Sequence, residues 1–372
     1  MKAPCEPTLF TEENIWTGGL KVRHYPFRSK AVSLLPSPDR DIKGNVEFDF
    51  RMITRDDNLP ASSLVLLLHG FNEKRWDKYL SWGEAICRGT GSAVLFFPIA
   101  FHMQRAPELW KNSRAMYRLS VKRRNLYPGI RCTSLSNAAI STRIQEHPSR
   151  LLWSGMQSYY DVIQLLNESR EGRYDQICPD FSLNLFGYSI GGFLAEILKM
   201  SDPGGLFRDS KVCLFCSGPV FRSMSPVSRY ILDSEANRAL QDFLSGNPGF
   251  LLNDFDPVAG RAFLAMLDYG SFTGFREQFL QQHAREFYAI ALKKDGVIPP
   301  VEVQRTLKGE LGEIPVRVDE IDFPYPYSHE NPFYATSGNG KERNLAFRQV
   351  FSRFCRFLVN RETETGGPGH AA

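Results

Sequence analysis

The chain has 372 residues, long enough for one large α/β domain with insertions or for two domains at ~100–200 residues each. Hydrophobic residues make up 42% and charged residues 23%, which excludes a disordered, collagen-like or coiled-coil chain. The formal net charge is +4, although residues 101–150 carry ten Lys and Arg against two Glu. This excess could meet an anionic ligand or a nucleic acid, but such runs are more often a solvated surface.

The cysteines and the hydropathy pattern indicate the cellular compartment of the protein. Seven cysteines form an odd, scattered set that lacks the spacing of a disulfide framework. The first residues do not contain the apolar stretch of a secretion signal, and the sequence has no run of 18 apolar residues that could span a membrane. We therefore expect a soluble cytoplasmic protein with no membrane span.

The first half of the chain predicts several strands. Residues 46–54 and 63–69 are rich in β-branched and apolar side chains and flank a turn-like segment, which indicates a hairpin or two sheet strands. Residues 92–99 are almost wholly apolar, as is typical of a strand buried on both faces of a parallel sheet. A crossover helix is predicted at 76–88, whereas the first 40 residues show no clear pattern.

The second half alternates between the two kinds of element. Apolar residues follow helical spacing from 152 to 166 and again from 190 to 198, and a short strand is predicted at 182–186 between them. Further strands are predicted at 211–216, 286–292 and 314–323, and further helices from about 301 and at 341–359. This alternation predicts an α/β fold with a doubly wound, mainly parallel sheet.

Two stretches interrupt the alternation and define the expected organisation. The expected segments are an N-terminal extension (1–44), a core (45–218 and 286–360) with a basic insertion (101–150), a helical cap or lid (219–285) and a flexible tail (361–372). The cap is expected because residues 219–285 are long for a connection between consecutive strands and contain helix-like pieces. We expect it to cover Ser189, introduced next, and to control substrate size.

A strand-turn-helix segment around Ser189 indicates nucleophilic chemistry. The residues Gly-Tyr-Ser-Ile-Gly at 187–191 fit the pattern G-x-S-x-G at the junction of a predicted strand and a predicted helix. A serine on such a sharp turn exposes its hydroxyl above the sheet, and the helix N-terminus offers free backbone N–H groups to a developing oxyanion. The alternative is a tight turn with an incidental serine, but the strand-turn-helix context favours a nucleophile.

With these residues the sequence resembles the α/β-hydrolase superfamily over about residues 45–360, and most nearly a bacterial subgroup of it. The segment Leu-Leu-Leu-His-Gly-Phe at 66–71 is similar to the third strand and His-Gly-X oxyanion loop of that fold. Ser189 matches the nucleophile, Asp295 matches the acid after the seventh strand, and His329 matches the histidine after the eighth. The chain order Ser, Asp, His is the order that this fold uses.

The resemblance implies a role for each residue. Ser189 would attack a carbonyl carbon, His329 would take its proton, and Asp295 would fix the imidazole tautomer and stabilise the imidazolium. The backbone N–H groups of Phe71 and Ile190 would form the oxyanion hole. No cofactor and no metal ion are expected.

Other histidines and carboxylates could take these roles. The alternative histidines are His24, His102, His147, His283 and His370, which have no context at the end of a predicted strand, whereas His69 resembles the loop histidine that braces the oxyanion turn. The alternative acids are Asp319, Glu320, Asp322 and Glu330, which lie on the strand leading to His329 or directly beside it. Chain order and position favour His329 and Asp295.

Cys213 and Cys216 form a C-x-x-C pattern, a spacing that recurs in metal and redox sites. A separation of three on a strand points the two sulfur atoms to opposite faces, and the sequence has no second Cys or His pair with finger spacing. We therefore expect ordinary buried cysteines.

A second cluster combines basic and aromatic residues, which suit phosphates and bases. Its members are Tyr117, Arg118, Lys122, Arg123, Arg124 and Tyr127. One short patch without a recognised binding module does not favour nucleic acid, and the cluster could instead admit an anionic substrate.

Together these features predict a cofactor-free serine hydrolase that cleaves a carboxylic ester or thioester through an acyl-enzyme. The expected partner is a small-molecule acyl ester or thioester, with no nucleic acid. An acyltransferase with the same three residues and a hydrolase-fold binding protein with a vestigial site are the alternatives. The substrate and the oligomeric state stay open, because they depend on pocket shape and surface geometry.

Overall fold

The computed structural model describes residues 19–36, 39–57, 59–246, 249, 251, 255–270, 272–335 and 338–359. The predicted tail at 361–372, with His370, lies outside the described residues. In the part of the chain that is described, no helix is both long and apolar enough to cross a membrane.

Eight strands form one sheet. They are β1 (Leu20–Arg28), β2 (Glu47–Arg55), β3 (Ala61–Leu68), β4 (Ala93–Phe97), β5 (Ile177–Tyr188), β6 (Val212–Phe215), β7 (Phe287–Leu292) and β8 (Arg317–Ile321). Their order across the sheet is β1-β2-β4-β3-β5-β6-β7-β8. The pairs β1–β2 and β2–β4 are antiparallel, and all other neighbours are parallel.

Eleven α-helices occur among the described residues. They are α1 (Lys43–Val46), α2 (Asp77–Thr90), α3 (Ser113–Leu126), α4 (Ala138–Glu146), α5 (Arg150–Arg170), α6 (Ile190–Ser201), α7 (Ser234–Ser245), α8 (Pro257–Leu267), α9 (Thr273–Gln282), α10 (Pro300–Leu307) and α11 (Gly340–Val359).

The central strands are apolar because helices cover both faces of the sheet. Along β3, Leu66 packs into the core cluster that includes residues of α5 and α6, whereas Leu67 packs into the cluster that includes residues of α2 and α11. Both leucines are fully buried. The predicted α/β class with a doubly wound, mainly parallel sheet is therefore confirmed.

The antiparallel edge differs from the sequence-based expectation. The hairpin alternative for residues 46–54 and 63–69 is wrong, since β2 pairs with β4 and β3 lies between β4 and β5. The sheet also begins earlier than expected, because β1 lies in the segment assigned to an N-terminal extension. Charged and polar side chains occupy much of β1, as suits an edge strand, and they obscure its apolar pattern.

The basic insertion packs against the segment predicted as the cap. Helix α4 of the insertion contacts α7 of this segment. The core helix α6 contacts α8 of the same segment. The Arg123 guanidinium donates two hydrogen bonds of 2.7 Å to the buried carboxylate of Asp233, which also accepts from the backbone N–H of Ala236 at the start of α7. Arg123 is thus an interior ion-pair residue, and the basic cluster at the surface loses this member.

Candidate active site

Ser189 lies on the sharp turn between β5 and α6. Its backbone has φ 55° and ψ −125°, a conformation that non-glycine residues rarely adopt. Close packing enforces it: a Cβ on Gly187 would lie 2.3 Å from the Cα of Gly192, and one on Gly191 would lie 2.2 Å from the carbonyl oxygen of Leu68. The glycines of the pattern are therefore needed for the strand and helix to approach this closely.

The three side chains predicted to act together form one hydrogen-bonded series. His329 Nε2 lies 2.8 Å from Ser189 Oγ, and His329 Nδ1 lies 2.7 Å from Asp295 Oδ2. All three residues are at least 95% buried, with exposed fractions of 4–5%. Because the carboxylate can only accept, Nδ1 carries the proton and Nε2 is free to accept the proton of the serine hydroxyl.

Backbone groups hold the Asp295 carboxylate in place after β7. Its second oxygen, Oδ1, accepts hydrogen bonds of 2.9 Å from the backbone N–H groups of Val297 and Ile298. One carboxylate oxygen is therefore committed to the loop and the other to His329. This arrangement fixes the direction in which the carboxylate faces the imidazole.

The four alternative acids have other surroundings. Asp319 pairs with Arg317, Arg353 and Tyr288. Asp322 pairs with Lys294 and Tyr327. Glu330 accepts a hydrogen bond from the Ser228 hydroxyl, whereas Glu320 is exposed. Of the histidines that are described, only His329 hydrogen-bonds Ser189.

Phe71 and Ile190 occupy the two positions predicted to supply oxyanion donors. Phe71 follows β3 in the loop, and Ile190 is the first residue of α6. Both residues line the same cavity. The backbone N–H groups at these two positions remain the predicted donors to a tetrahedral oxyanion.

His69 joins the loop that follows β3 to the loop that follows β4. Its Nδ1 donates to the carbonyl of Gly70 over 2.8 Å, and its Nε2 accepts from the backbone N–H of Ile99 over 2.9 Å. Complete burial and the neighbouring His102 lower the pKa of His69 well below 6.5. The ring is therefore neutral and keeps one donor and one acceptor.

Tyr79, Glu73 and Lys78 form a polar network that no sequence pattern predicts. The Tyr79 hydroxyl accepts from the backbone N–H of Gly70 and donates to Glu73, each over 2.9 Å. The Lys78 ammonium pairs with the same Glu73 and donates to the carbonyl of Glu330 over 2.8 Å. These contacts join the oxyanion loop to the loop that carries His329.

Tyr188 makes a second connection to the His329 loop. Its hydroxyl donates to the backbone carbonyl of His329, and the two rings stack with centroids 5.5 Å apart. Burial raises the pKa of Tyr188 well above 10, so the hydroxyl keeps its proton and remains a donor. The residue before the serine thus helps to position the histidine.

The C-x-x-C prediction needs one correction. Cys213 and Cys216 are both buried, but they belong to the same core cluster rather than to opposite faces. Cys216 follows the end of β6 with φ 47°, so the alternation of the strand does not extend to it. Burial and the nearby Asp295 carboxylate raise the pKa of the Cys216 thiol. The six described cysteines form no disulfide with one another.

A mainly apolar cavity opens beside Phe71 and Ile190. The space between atoms is about 650 Å³, open mouth included. Its wall comes from residues 99–102 after β4, from residues 140–158, and from Phe221, Phe263 and Leu267. Both insertions therefore line the cavity, whereas the sequence analysis assigned substrate control to residues 219–285 alone.

His102 belongs to this wall, although the histidine that hydrogen-bonds Ser189 is His329. His102 lies in the loop after β4, at the same edge of the sheet as Ser189, so the stated lack of a strand-end context is wrong.

In the described part of the chain, no group of three or more His, Cys, Asp and Glu side chains is arranged to hold a metal ion.

The comparisons with known proteins identify a family. The model of DUF6051, a family of unknown function, matches residues 29–359. The chain belongs to this family. No curated protein matches the sequence.

Among solved structures, the chain is similar to a thermostable esterase from Pseudomonas putida ECU1011. The two are 10% identical, the match covers 91% of this chain and 84% of the esterase, and the TM-score is 0.50. At this identity the likeness concerns the fold, and the predicted α/β-hydrolase type of sheet is confirmed.

Two further esterases are matched at lower TM-scores. Carboxyl esterase 2 from Tuber melanosporum is 10% identical, with 91% of this chain and 87% of that chain covered and a TM-score of 0.47. A carboxyl esterase from Bacillus coagulans is 14% identical, with 91% and 99% covered and a TM-score of 0.46.

Proposed function

We propose that this protein is a cofactor-free serine hydrolase that cleaves a carboxylic ester or thioester through an acyl-enzyme. One observation carries the proposal: the continuous hydrogen-bonded series from Ser189 Oγ through His329 to Asp295. A serine hydroxyl is too weakly acidic to attack alone, and a neutral imidazole within hydrogen-bond distance is the base that activates it.

Acylation begins when Ser189 Oγ attacks the carbonyl carbon of the substrate and its proton moves to His329 Nε2. The carbonyl oxygen becomes an oxyanion that accepts hydrogen bonds from the backbone N–H groups of Phe71 and Ile190. The tetrahedral intermediate collapses, the bond to the leaving oxygen or sulfur breaks, and His329 gives its proton to that atom. Asp295 stabilises the imidazolium while it exists.

Deacylation repeats these steps with water. A water molecule gives a proton to His329 Nε2 as its oxygen attacks the acyl carbon of the ester on Ser189. The second tetrahedral intermediate breaks at the bond to Ser189 Oγ, which recovers its proton from His329. The products are a carboxylic acid, the alcohol or thiol, and the regenerated enzyme.

The cavity beside Phe71 and Ile190 receives the acyl chain in this proposal. The leaving group must lie next to His329, which protonates it, whereas the cavity begins at the two oxyanion donors. Residues 219–285 act as a cap together with helix α4, because both contribute to the cavity wall. These segments therefore set the size of acyl chain that fits.

A panel of p-nitrophenyl esters from acetate to palmitate tests the proposal. We expect wild-type protein to release p-nitrophenol from at least one ester with saturation kinetics, and the Ser189→Ala variant to be inactive on that ester. Absence of turnover across the panel and with a matching set of thioesters would contradict the proposed function.

A further inference from the structure

One short segment of the predicted cap, residues 225–231, is hydrogen-bonded to three loops that carry predicted site residues. These loops follow β3, β7 and β8 and carry Phe71, Asp295 and His329. In each loop, the partner of the segment is either the next residue after a predicted site residue or a residue that hydrogen-bonds one. We call residues 225–231 the bridging segment.

The first contact holds the loop of the predicted acid. The backbone N–H of Ser225 donates to the carbonyl oxygen of Val297 over 2.8 Å. The N–H of the same Val297 donates to Asp295 Oδ1 over 2.9 Å. The turn that orients the Asp295 carboxylate is therefore attached to the bridging segment by a backbone hydrogen bond.

The second contact is made by the residue that follows His329. Ser228 Oγ donates to Glu330 Oε1 over 2.5 Å, a short distance that is typical of a hydroxyl donating to a carboxylate. The backbone carbonyl of Glu330 accepts from the Lys78 ammonium over 2.8 Å. Glu330, one of the alternative acids, is thus held both through its side chain and through its backbone.

The third contact is made by the residue that follows Phe71. Asn72 Nδ2 donates to the backbone carbonyl of Tyr230 in the bridging segment, and to that of Ser136 in the basic insertion over 3.0 Å. The backbone of Asn72 has φ 58°, a left-handed conformation that Asn adopts more readily than most residues. Asn72 therefore suits this turn and joins the oxyanion loop to both insertions.

The bridging segment is itself held in shape around Ser228. The Ser228 hydroxyl accepts from the backbone N–H groups of Tyr230 and Ile231 over 3.2 and 3.1 Å. The N–H of Ser228 donates to the carbonyl of Leu232 over 3.0 Å, and its carbonyl accepts from Asn137 Nδ2 over 2.8 Å. Every polar group of Ser228 therefore has a partner, and its hydroxyl both shapes the segment and reaches Glu330.

Loops at the ends of separate strands can shift independently, and a displacement of about 1 Å near the reacting atoms can cost ~10²-fold in rate. We propose that Ser228 and Glu330 are positioning residues, whose hydrogen bond sets the place of His329 relative to Ser189. Residues 219–285 thereby act on the catalytic series as well as on the acyl cavity that they line. This inference rests on the proposed function, since it adds positioning residues to the same reaction.

Turnover of the best ester of the panel tests the inference. Glu330→Ala and Ser228→Ala break the hydrogen bond from either side, so one variant that does not fold leaves the other to decide. We expect kcat to fall about tenfold in both, with KM within about twofold of wild type, because the acyl cavity is intact. Glu330→Gln keeps an oxygen that accepts from Ser228 and should retain at least about half of the wild-type kcat.

A double variant and two matched controls sharpen this test. Ser228→Ala combined with Glu330→Ala should lose no more than either single change, because both remove the same hydrogen bond. Glu320→Ala on β8 and Ser352→Ala on α11, at exposed residues, should keep the wild-type kcat. Wild-type kcat in either alanine variant, equal losses in Glu330→Gln and Glu330→Ala, or a change confined to KM would overturn the inference.

The proton on His329 Nδ1 gives a readout that does not depend on turnover. Its hydrogen bond to Asp295 places it at low field in the ¹H NMR spectrum, and His329→Asn assigns the resonance by removing it. The exchange of this proton with water reports how firmly the ring is held. We expect exchange at least about threefold faster in Glu330→Ala and Ser228→Ala than in wild type, and unchanged in Glu330→Gln and Glu320→Ala.

This measurement separates the inference from the proposed function. If the exchange rates follow the expected order and wild-type protein cleaves no ester, the proposed function fails and the inference stands. Absence of the His329 resonance from wild-type protein, or equal exchange in wild type and both alanine variants, contradicts the inference whatever the turnover.

Discussion

The three candidate catalytic residues and two polar residues of the cavity wall differ in how completely their polar atoms are hydrogen-bonded within the protein. Ser189, His329 and Asp295 are hydrogen-bonded to one another, and the remaining oxygen of Asp295 is bonded to its own loop. His102 and Arg143 are also buried, yet each keeps one atom without a partner among the described residues.

This difference separates side chains that are oriented for reaction from buried side chains that cost stability. A reacting group gains from being oriented before the substrate arrives, because reorganisation then costs nothing in the transition state. A buried polar atom without a hydrogen-bond partner costs stability. Changes near Ser189 should therefore alter kcat, whereas changes at His102 and in the cavity wall should alter stability and the choice of acyl chain.

Removing the nucleophile should have the largest effect. We expect Ser189→Ala to lower kcat by at least ~10³-fold, because the covalent route is lost. The melting temperature should stay within a few degrees of wild type, since the side chain contributes little packing. Retention of more than a tenth of the wild-type kcat would remove Ser189 from its proposed role.

Changing the Asp295 carboxylate should have the second largest effect. We expect Asp295→Asn to slow turnover by ~10²–10⁴-fold, because an amide no longer sets the imidazole tautomer. Asp319→Asn is the matched control, and with Glu320→Gln and Asp322→Asn it should have a far milder effect. If one of these three changes is the more damaging, the acid has been misassigned.

Acid should destabilise the protein through the neutral, buried histidines. Burial holds the pKa of His102 at about 4 in the folded protein, against 6.5 when unfolded, and the pKa of His69 is lowered as well. The unfolded state therefore binds more protons between these values, and the free energy of unfolding falls as the pH falls from 6.5 to about 4.

The contribution of His102 to this loss is about 3 kcal/mol over the full window. Denaturant titrations at pH 7, 5.5 and 4.5 measure it. His102→Asn should show a smaller loss between pH 7 and 4.5 than wild type. An identical pH dependence in both proteins would show that folding does not lower the pKa of His102.

The network that joins the oxyanion loop to the His329 loop should affect turnover more weakly. Tyr79→Phe removes the hydroxyl that holds the Gly70 N–H and Glu73, and we expect kcat to fall about tenfold with KM nearly unchanged. Tyr117→Phe, at an exposed tyrosine, is the control. A change confined to KM would instead indicate a role in substrate binding.

A change in the cavity wall should have the smallest effect. Phe263→Leu widens the cavity on the side of residues 219–285, and we expect relative kcat/KM to shift by about threefold toward longer acyl chains. Phe272→Ala, at an exposed phenylalanine in the same segment, should leave the profile unchanged. An unchanged profile in both variants would show that this segment does not set chain length.

The sequence predicts the core of the fold because its central strands are almost wholly apolar and are followed by amphipathic helices. Ser189 could be proposed from its strand-turn-helix context, whereas Asp295 and His329 are proposed because their positions and chain order match the α/β-hydrolase superfamily that the sequence resembles. Strand β1 escaped prediction because an edge strand carries charged side chains.

The remaining parts depend on contacts between residues that are distant in sequence. Arg123 reads as a surface charge until Asp233, 110 residues later, is placed against it. The Cys216 side chain departs from the strand alternation because its backbone has φ 47°, which no local pattern announces. The His102 ring contacts the rings of His69 and Phe71, which are also distant in sequence. Only burial distinguishes this histidine from His147 at the surface.

Reaction with a fluorophosphonate probe tests the central claim most directly, since such probes phosphonylate only a serine that is activated by a neighbouring base. We predict that mass spectrometry finds the probe on Ser189 in wild-type protein, that Ser189→Ala is not labelled, and that Asp295→Asn is labelled more slowly. Folded wild-type protein that remains unlabelled, or that carries the probe on another residue, would contradict the account.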